Sequence, residues 1–483
     1  MKHGHCAVRA YRLIPLLICC QLLLVTAWPA DANVTLSIVT PQVVTPSNPM
    51  HGCWTTFRAP LQHVSDVLAT INGLATISSN DIWAVGSYDP GPGIYPSGKN
   101  RTLTTHWDGE KWNTIPSPSP DNSNASLEGV TALSSNDAWA VGFSSQDVDT
   151  ATTLIMHWDG KQWTTVPSPS IPNGVNGLSA VTAVSANDAW AVGSYRTTSL
   201  TRRLILHWDG NRWDLVMGLD PADAGELHGI AAASAGDIWA VGSGGAQLLH
   251  WDGARWSAAL TPDLGNAARL FGVVARGPDD VWAVGSYNYY GSLKTLTLHW
   301  NGSAWSIVPS PSPGQSNELH AVTAVSTSDI WAVGDRDMLR PQDPFVIHWD
   351  GLRWSEVPQP QDVRILHLET VAATPNGEGW DVWVGGTVYG SGLMLNNGLM
   401  LRHSIGPCDP LFRNYWETHG DLMQQGYQIS GIMTEVSDLD GRPYTVQYFE
   451  RAVFEYHPEN KAPYDVLLSQ LGTLRYRQKF GER

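Results

Sequence analysis

A chain of 483 residues with 45 acidic and 29 basic side chains carries a formal charge of −16, which argues against a nucleic-acid partner because nothing here neutralises phosphates in quantity. Charged residues make up only 15% of the sequence, and Gly, Pro, Trp and Ser/Thr fill the difference. That composition suits short strands joined by tight turns.

Residues 1–32 read as an export signal, with Lys2, Arg9 and Arg12 before an apolar run at 13–27 and small residues Ala30 and Ala32 ahead of a cleavage point. The apolar run is short for a span, and no later segment is apolar enough to cross a bilayer, so the mature chain is expected to lack a membrane span. Three of the five Cys fall inside that leader, leaving Cys53 and Cys408. A lone pair in an oxidising compartment is expected to form a bridge. Residues 33–52, rich in Thr, Pro, Val and Asn without a period, read as an extended linker.

The body of the chain repeats. An Asp-X-Trp core recurs with its Trp at 83, 139, 190, 239, 282, 331 and 383, at steps of 56, 51, 49, 43, 49 and 52 residues. Each unit holds four short apolar runs. In the second, 127–134 alternates as strand a, 135–137 turns, 138–143 is strand b, 152–158 strand c and 162–167 strand d, with Asp159-Gly160 as hairpin chemistry. A period near fifty with four strands per unit predicts an all-β fold, a seven-bladed β-propeller over residues 53–408.

The last unit lacks its fourth, Trp-X-X-Val-Pro strand, and the missing piece stands at the front as Trp54 to Pro60, closely matching Trp163 to Pro169. An N-terminal strand is therefore expected to complete the last blade and remove an open edge. A Cys53–Cys408 disulfide would lock that closure. The repeats resemble the kelch family, in which an aromatic-containing strand ends in a Gly pair and a Trp follows an Asp-containing turn; here Val-Gly-Ser replaces the Gly doublet in most units and His-Trp-Asp the Tyr-Asp element. The resemblance implies architecture rather than a kelch function. The Asp-Gly-X-X-Trp corner is similar to the Asp-box of sialidase-type propellers, itself a structural turn.

Twenty of 23 Trp fall into three rings, seven in strand b, six in strand c and seven opening strand d, and are expected to be core. The His at 106, 157, 207, 250, 299, 348 and 403 recur once per unit and would lie around a wide ring. Ligands for one metal must converge within about 2.0–2.1 Å of it, so these His are read as structural, bonded to a neighbouring strand or blade. The Asp before each strand-b Trp is read as a turn former.

Departures from the repeat point to a site. Near the start of strand a, a fixed apolar residue is followed by one that changes in every unit: Asn72, Glu128, Ser179, His228, Phe271, His320 and Glu369. In a propeller these would lie at the channel mouth, on the face carrying the variable b–c and d–a loops. Loop aromatics Tyr88, Tyr287 and Tyr289, with Tyr95, Tyr195 and Tyr290, add stacking surface there. No metal, cofactor or catalytic residue is assigned. A copper-radical oxidase needs a Cys–Tyr crosslink, a sialidase an Arg cluster, and neither is evident.

From residue 409 the repeat stops. Residues 409–483 read as a small α+β module, with a helix over 412–424, strands at 444–451 and 453–457, and a last helix over 464–471. Tyr415-Trp416, Gly426-Tyr427-Gln428-Ile429-Ser430, Tyr444 to Arg451 and Glu455-Tyr456-His457-Pro458 resemble a module of secreted bacterial proteins, distantly similar to LGFP repeats associated with cell walls. That resemblance implies an exported accessory domain. Glu450 and Glu455 are read as surface charge. The sequence thus describes a secreted, monomeric, non-catalytic binding or scaffold protein, whose partner is an extracellular glycan, a cell-envelope component or a protein. The alternative is an extracellular carbohydrate-active enzyme, oxidase or glycosidase-like, with its site in the same mouth.

Overall fold

The structure, a computed structural model, describes residues 53–468 except 61–68, 92–98, 148, 198–199, 217–223, 245–247, 264–267, 337–342, 360–364, 376–379, 390–395, 405–409, 420–423, 426–432, 438–440, 450 and 463. The leader and linker read in residues 1–52 lie outside these, as do Tyr95, Cys408 and Glu450.

Each repeat folds as an antiparallel four-stranded meander. The second unit runs Asn124–Ser134, Asp137–Ser145, Thr152–Trp158 and Trp163–Thr165, in that spatial order. Units four and five share one eight-stranded sheet, joined only by the bridge Ser243↔Arg269. In the last repeat the strands Ile365–Pro375, Trp380–Tyr389 and Asn396–Ser404 are completed by Cys53–Arg58, whose register runs from Cys53↔Ser404 to Arg58↔Leu399. Trp54 Nε1 donates to Pro358 O at 2.7 Å, fixing this strand to the preceding unit.

The first strands of successive units lie against one another, and that of the last unit lies against that of the first. Thr76 Oγ1 donates across this junction to Ala373 O at 2.9 Å. The sheets therefore close into a ring, a β-propeller with the first strand of every unit innermost.

The Trp rings form the joints. The strand-b Trp of one unit sits between the strand-c and strand-d Trp of the next: Trp83 lies 4.9 Å from Trp158 and 5.1 Å from Trp163, and Trp383 closes the circle at 5.1 Å from Trp107 and 5.5 Å from Trp112. The repeat His are structural, and their partner lies within the same unit. His106, His157, His207, His250, His299 and His348 each place Nε2 2.7–3.0 Å from the Asp that opens strand b, while their rings lie on the adjacent Trp. That Asp is thus more than the turn former expected of it.

The seventh His corrects the expectation of equivalence. Trp83 faces His106 and Trp331 faces His348, but Trp383 faces Arg402, and His403 faces Val382. Arg402 takes the role of the repeat His, with Nη2 2.6 Å from the fully buried Asp381. His403 takes the place of the strand-c Trp, wedged between Trp54 at 4.8 Å and Trp331 at 4.9 Å.

The C-terminal part has a helix, Pro410–Thr418, and a sheet of Met433–Val436, Pro443–Tyr448, Val453–Tyr456 and Val466–Leu468 in sequential order. Phe412, Trp416, Phe449 and Phe454 form its core. The helix expected over 464–471 is replaced in its described part by a strand whose Val466 pairs with Tyr456. Glu455 is not surface charge; it is 9% exposed and lies 3.4 Å from His457 Nε2.

Candidate functional site at the channel mouth

The variable column has a backbone cause. In every innermost strand the register slips by one residue at that position: between Ile71 and Gly73, Leu127 and Gly129, Leu178 and Ala180, Leu227 and Gly229, Leu270 and Gly272, Leu319 and Ala321, and Leu368 and Thr370. Asn72, Glu128, Ser179, His228, Phe271, His320 and Glu369 are therefore the unpaired residues of seven β-bulges. A bulge re-aims the side chain it frees from the pleat, which is why these positions drift without disturbing the sheet.

Six of these side chains meet in two runs, Asn72 with Glu128 and His228 through Phe271 and His320 to Glu369. Asn72 Nδ2 donates to Leu127 O at 3.0 Å and to Glu128 Oε2 at 3.3 Å. His228 stacks on Phe271 at 4.9 Å, and Phe271 meets His320 edge-on at 5.9 Å. His320 Nδ1 lies 3.0 Å from Leu368 O and 3.7 Å from Glu369 Oε2. Among the described residues no group of three His, Cys, Asp or Glu is placed to hold a metal ion.

Around His320 lies a polar network that the sequence pattern missed. Asp335, fully buried, is 2.7 Å from His367 Nδ1 and 3.9 Å from His320 Nδ1. Glu318 accepts from Ser286 Oγ at 2.7 Å and lies 3.7 Å from His320 Nε2. Burial, the largest single influence, disfavours the charged His320 ring, but Glu318, Glu369 and Asp335 together outweigh it and push its pKa up to about 9. The Asp335 bond likewise raises His367, whereas burial lowers His228. Burial, with the neighbouring Glu369 charge, raises Glu128. Glu318, Arg269 and His367 stand two or so residues before the bulge, and Asp335 directly after the Val-Gly of strand b. Comparing those two columns between units would have exposed them.

The aromatics divide. Tyr88, Tyr195 and Tyr287 belong to strand b rather than to loops and pack half-buried into the joints. Tyr289 and Tyr290, at the tip of the unit-five hairpin, are 56% and 93% exposed. Two cavities open on this face. One of about 520 Å³ involves Lys99, Phe143, Asp147 and Asn176, the other, of about 450 Å³, Ser243, Arg269, Asn288, Leu293 and Glu318.

No family model matches the chain, and no curated protein matches it. Among solved structures it is similar to YCF48 bound to a D1 peptide, at 15% identity over 73% of this chain and 97% of that one, with a TM-score of 0.45. It is also similar to the GH74 xyloglucanase from Xanthomonas campestris (10% identity, 86% and 68% coverage, TM-score 0.46) and to the polysaccharide lyase Uly1 (11%, 76% and 94%, 0.42).

Proposed function

We propose that this chain is an exported, seven-bladed, kelch-like propeller that binds a glycan or protein at its channel mouth without turning it over. The proposal includes a leader removed before residue 33, a Cys53–Cys408 bridge beside the closing strand, a secreted or cell-surface location, and a C-terminal accessory module. The observation that carries the binding role is the ring of seven bulges. The scaffold spends one extra residue per unit to present a side chain at a single opening, and those seven side chains differ in charge, polarity and ring character. The state of His320 argues against its serving as a general base. An imidazolium held near pKa 9 by three carboxylates takes up no proton at neutral pH, so it is a poor general base.

The test is a screen of the purified protein against a glycan array and a peptide library, followed by Phe271→Ala. Removing the ring that joins His228 to His320 should weaken the best ligand about tenfold or more while leaving the melting temperature within a few degrees. Product release from the ligand would overturn the non-catalytic reading, and binding indifferent to Phe271 would overturn the mouth as its place.

A further inference from the structure

We infer that the ligand of the mouth is an acidic saccharide, seated in the unit-five cavity with a uronate carboxylate on Arg269; this rests on the mouth being the binding face. The cavity of about 450 Å³ is of a size for one or two sugar rings, and its lining offers Ser243, Asn288 and Glu318 to hydroxyl groups. Arg269 is the cation in that lining. It is exposed and forms no ion pair or side-chain hydrogen bond among the described residues.

Arg269 acts electrostatically on Glu318 across the recess, helping to lower its pKa, but forms no ion pair with it. Glu318 accepts from Ser286 at 2.7 Å and lies 3.7 Å from the His320 imidazolium, and Glu226 lies 3.9 Å from His228. A planar guanidinium without a hydrogen-bond partner among the described residues, in a polar recess, matches a carboxylate in two parallel hydrogen bonds, which a neutral sugar cannot supply.

The hairpin above the cavity has an unusual tip. Tyr289 pairs with Ser292, so Tyr290-Gly291 is a two-residue turn with φ of +50° and +87°. Such turns favour Asn or Asp at the first place, because a bulky side chain is strained at positive φ. Asn288 Oδ1 holds the turn by accepting from Gly291 N at 2.9 Å. The result is a pair of exposed rings, Tyr289 and Tyr290, edge-to-face at 4.8 Å beside the recess. Exposed rings beside hydroxyl-bonding groups suit the apolar faces of pyranose rings, which an extended peptide does not offer.

Oligogalacturonate and oligoglucuronate, with their carboxyl-reduced counterparts, are the probes, measured by calorimetry on the mature full chain. The uronates should bind, more weakly at high salt, and the reduced oligomers at least tenfold less tightly. Arg269→Gln should cost about ten- to a hundredfold in Kd for the uronates and little for the reduced forms, and Tyr289→Ala should weaken both alike. Equal affinity for the two oligomer types, or uronate binding unchanged by Arg269→Gln, overturns the inference. If neutral glycans or peptides bind and only Phe271→Ala abolishes it, the acidic saccharide falls while the mouth stands. If no probe binds and Phe271→Ala is silent in the wider screen, both fall.

Discussion

His403 is the residue at which the repeat breaks, and the break has an energetic cost. In five of the other units the site holds an indole whose Nε1 reaches a turn carbonyl, as Trp107 reaches Ser79 O at 3.0 Å. The imidazole in its place is 1% exposed, and neither ring nitrogen has a hydrogen-bond partner among the described residues. Burial, and then the nearby His348, depress its pKa to about 3, with Asp329 opposing weakly; Arg402 and Asp381 lie one residue or one strand away but are committed to each other. The folded protein thus keeps this ring neutral, while the unfolded chain takes up a proton from about pH 6.5 downward. Stability associated with His403 is complete above pH 6.5 and falls as the pH drops toward 3, by on the order of 1 kcal/mol per pH unit. His403→Trp, which restores the repeat, should flatten this acid limb and leave stability at pH 7 equal or higher. Thermal melts of both proteins between pH 7 and 4.5 check it, and parallel curves would show that the ring does not titrate as argued.

At the scale of the element, the bulge and the glycine of strand b are one device. Where the innermost strand bulges, the carbonyl two residues before the extra residue swings over strand b, and a Cβ on the facing glycine would lie 2.0 Å from it at Gly142 (Ser126 O) and 1.8 Å at Gly242 (Glu226 O). The glycine of each unit that faces the bulge is therefore dictated by contact, while the place before it, Val in six units and Gly385 in the last, can be exchanged. Gly242→Ala should destabilise by about 1–3 kcal/mol or more, because backbone rather than a movable side chain must give way. Urea unfolding measures this, and a loss below about half a kcal/mol would mean that the bulge can be relaxed. The same coupling explains what the sequence disclosed. Trp, Gly and Asp-Gly recur because each meets a hard steric or hydrogen-bonding demand, so strands and turns were legible to within a few residues, Thr152–Trp158 to the residue. The bulge column stood out because it alone varied beside fixed neighbours. Glu318, Asp335 and His367 did not, since their significance comes from pairing across units rather than along one strand. Arg402-His403 was misaligned by matching His to His. The strand Val466–Leu468 was read as helix because a three-residue apolar run has no period of its own.

For the whole molecule, the consequence of a ring is that no joint is terminal, and stability rests on the place where the chain ends meet. The strand Cys53–Arg58 serves three partners at once. Its backbone completes the last sheet, Trp54 bonds to Pro358 in the unit before, and Phe57 lies 5.1 Å from Trp107 and 5.5 Å from Trp383 in the joint to the first unit. A chain beginning after Arg58 would leave an open edge on Asn396–Ser404 and uncover His403 and Trp383 together. That truncated protein should unfold several kcal/mol more easily, since two aromatic anchors and a six-residue ladder are lost at once. It should also lose the single cooperative transition, because joints of a broken ring can part from one end. A synthetic peptide spanning the missing strand should bind the exposed edge and restore the transition, as a strand added to a sheet edge does. Oxidising the Cys53–Cys408 pair in the full chain should move stability the opposite way, by roughly 2–4 kcal/mol, when melts with and without reductant are compared. A truncated chain that melts with the intact protein's midpoint and sharpness would mean that closure is ornamental, and the ring would then be held by its other joints alone.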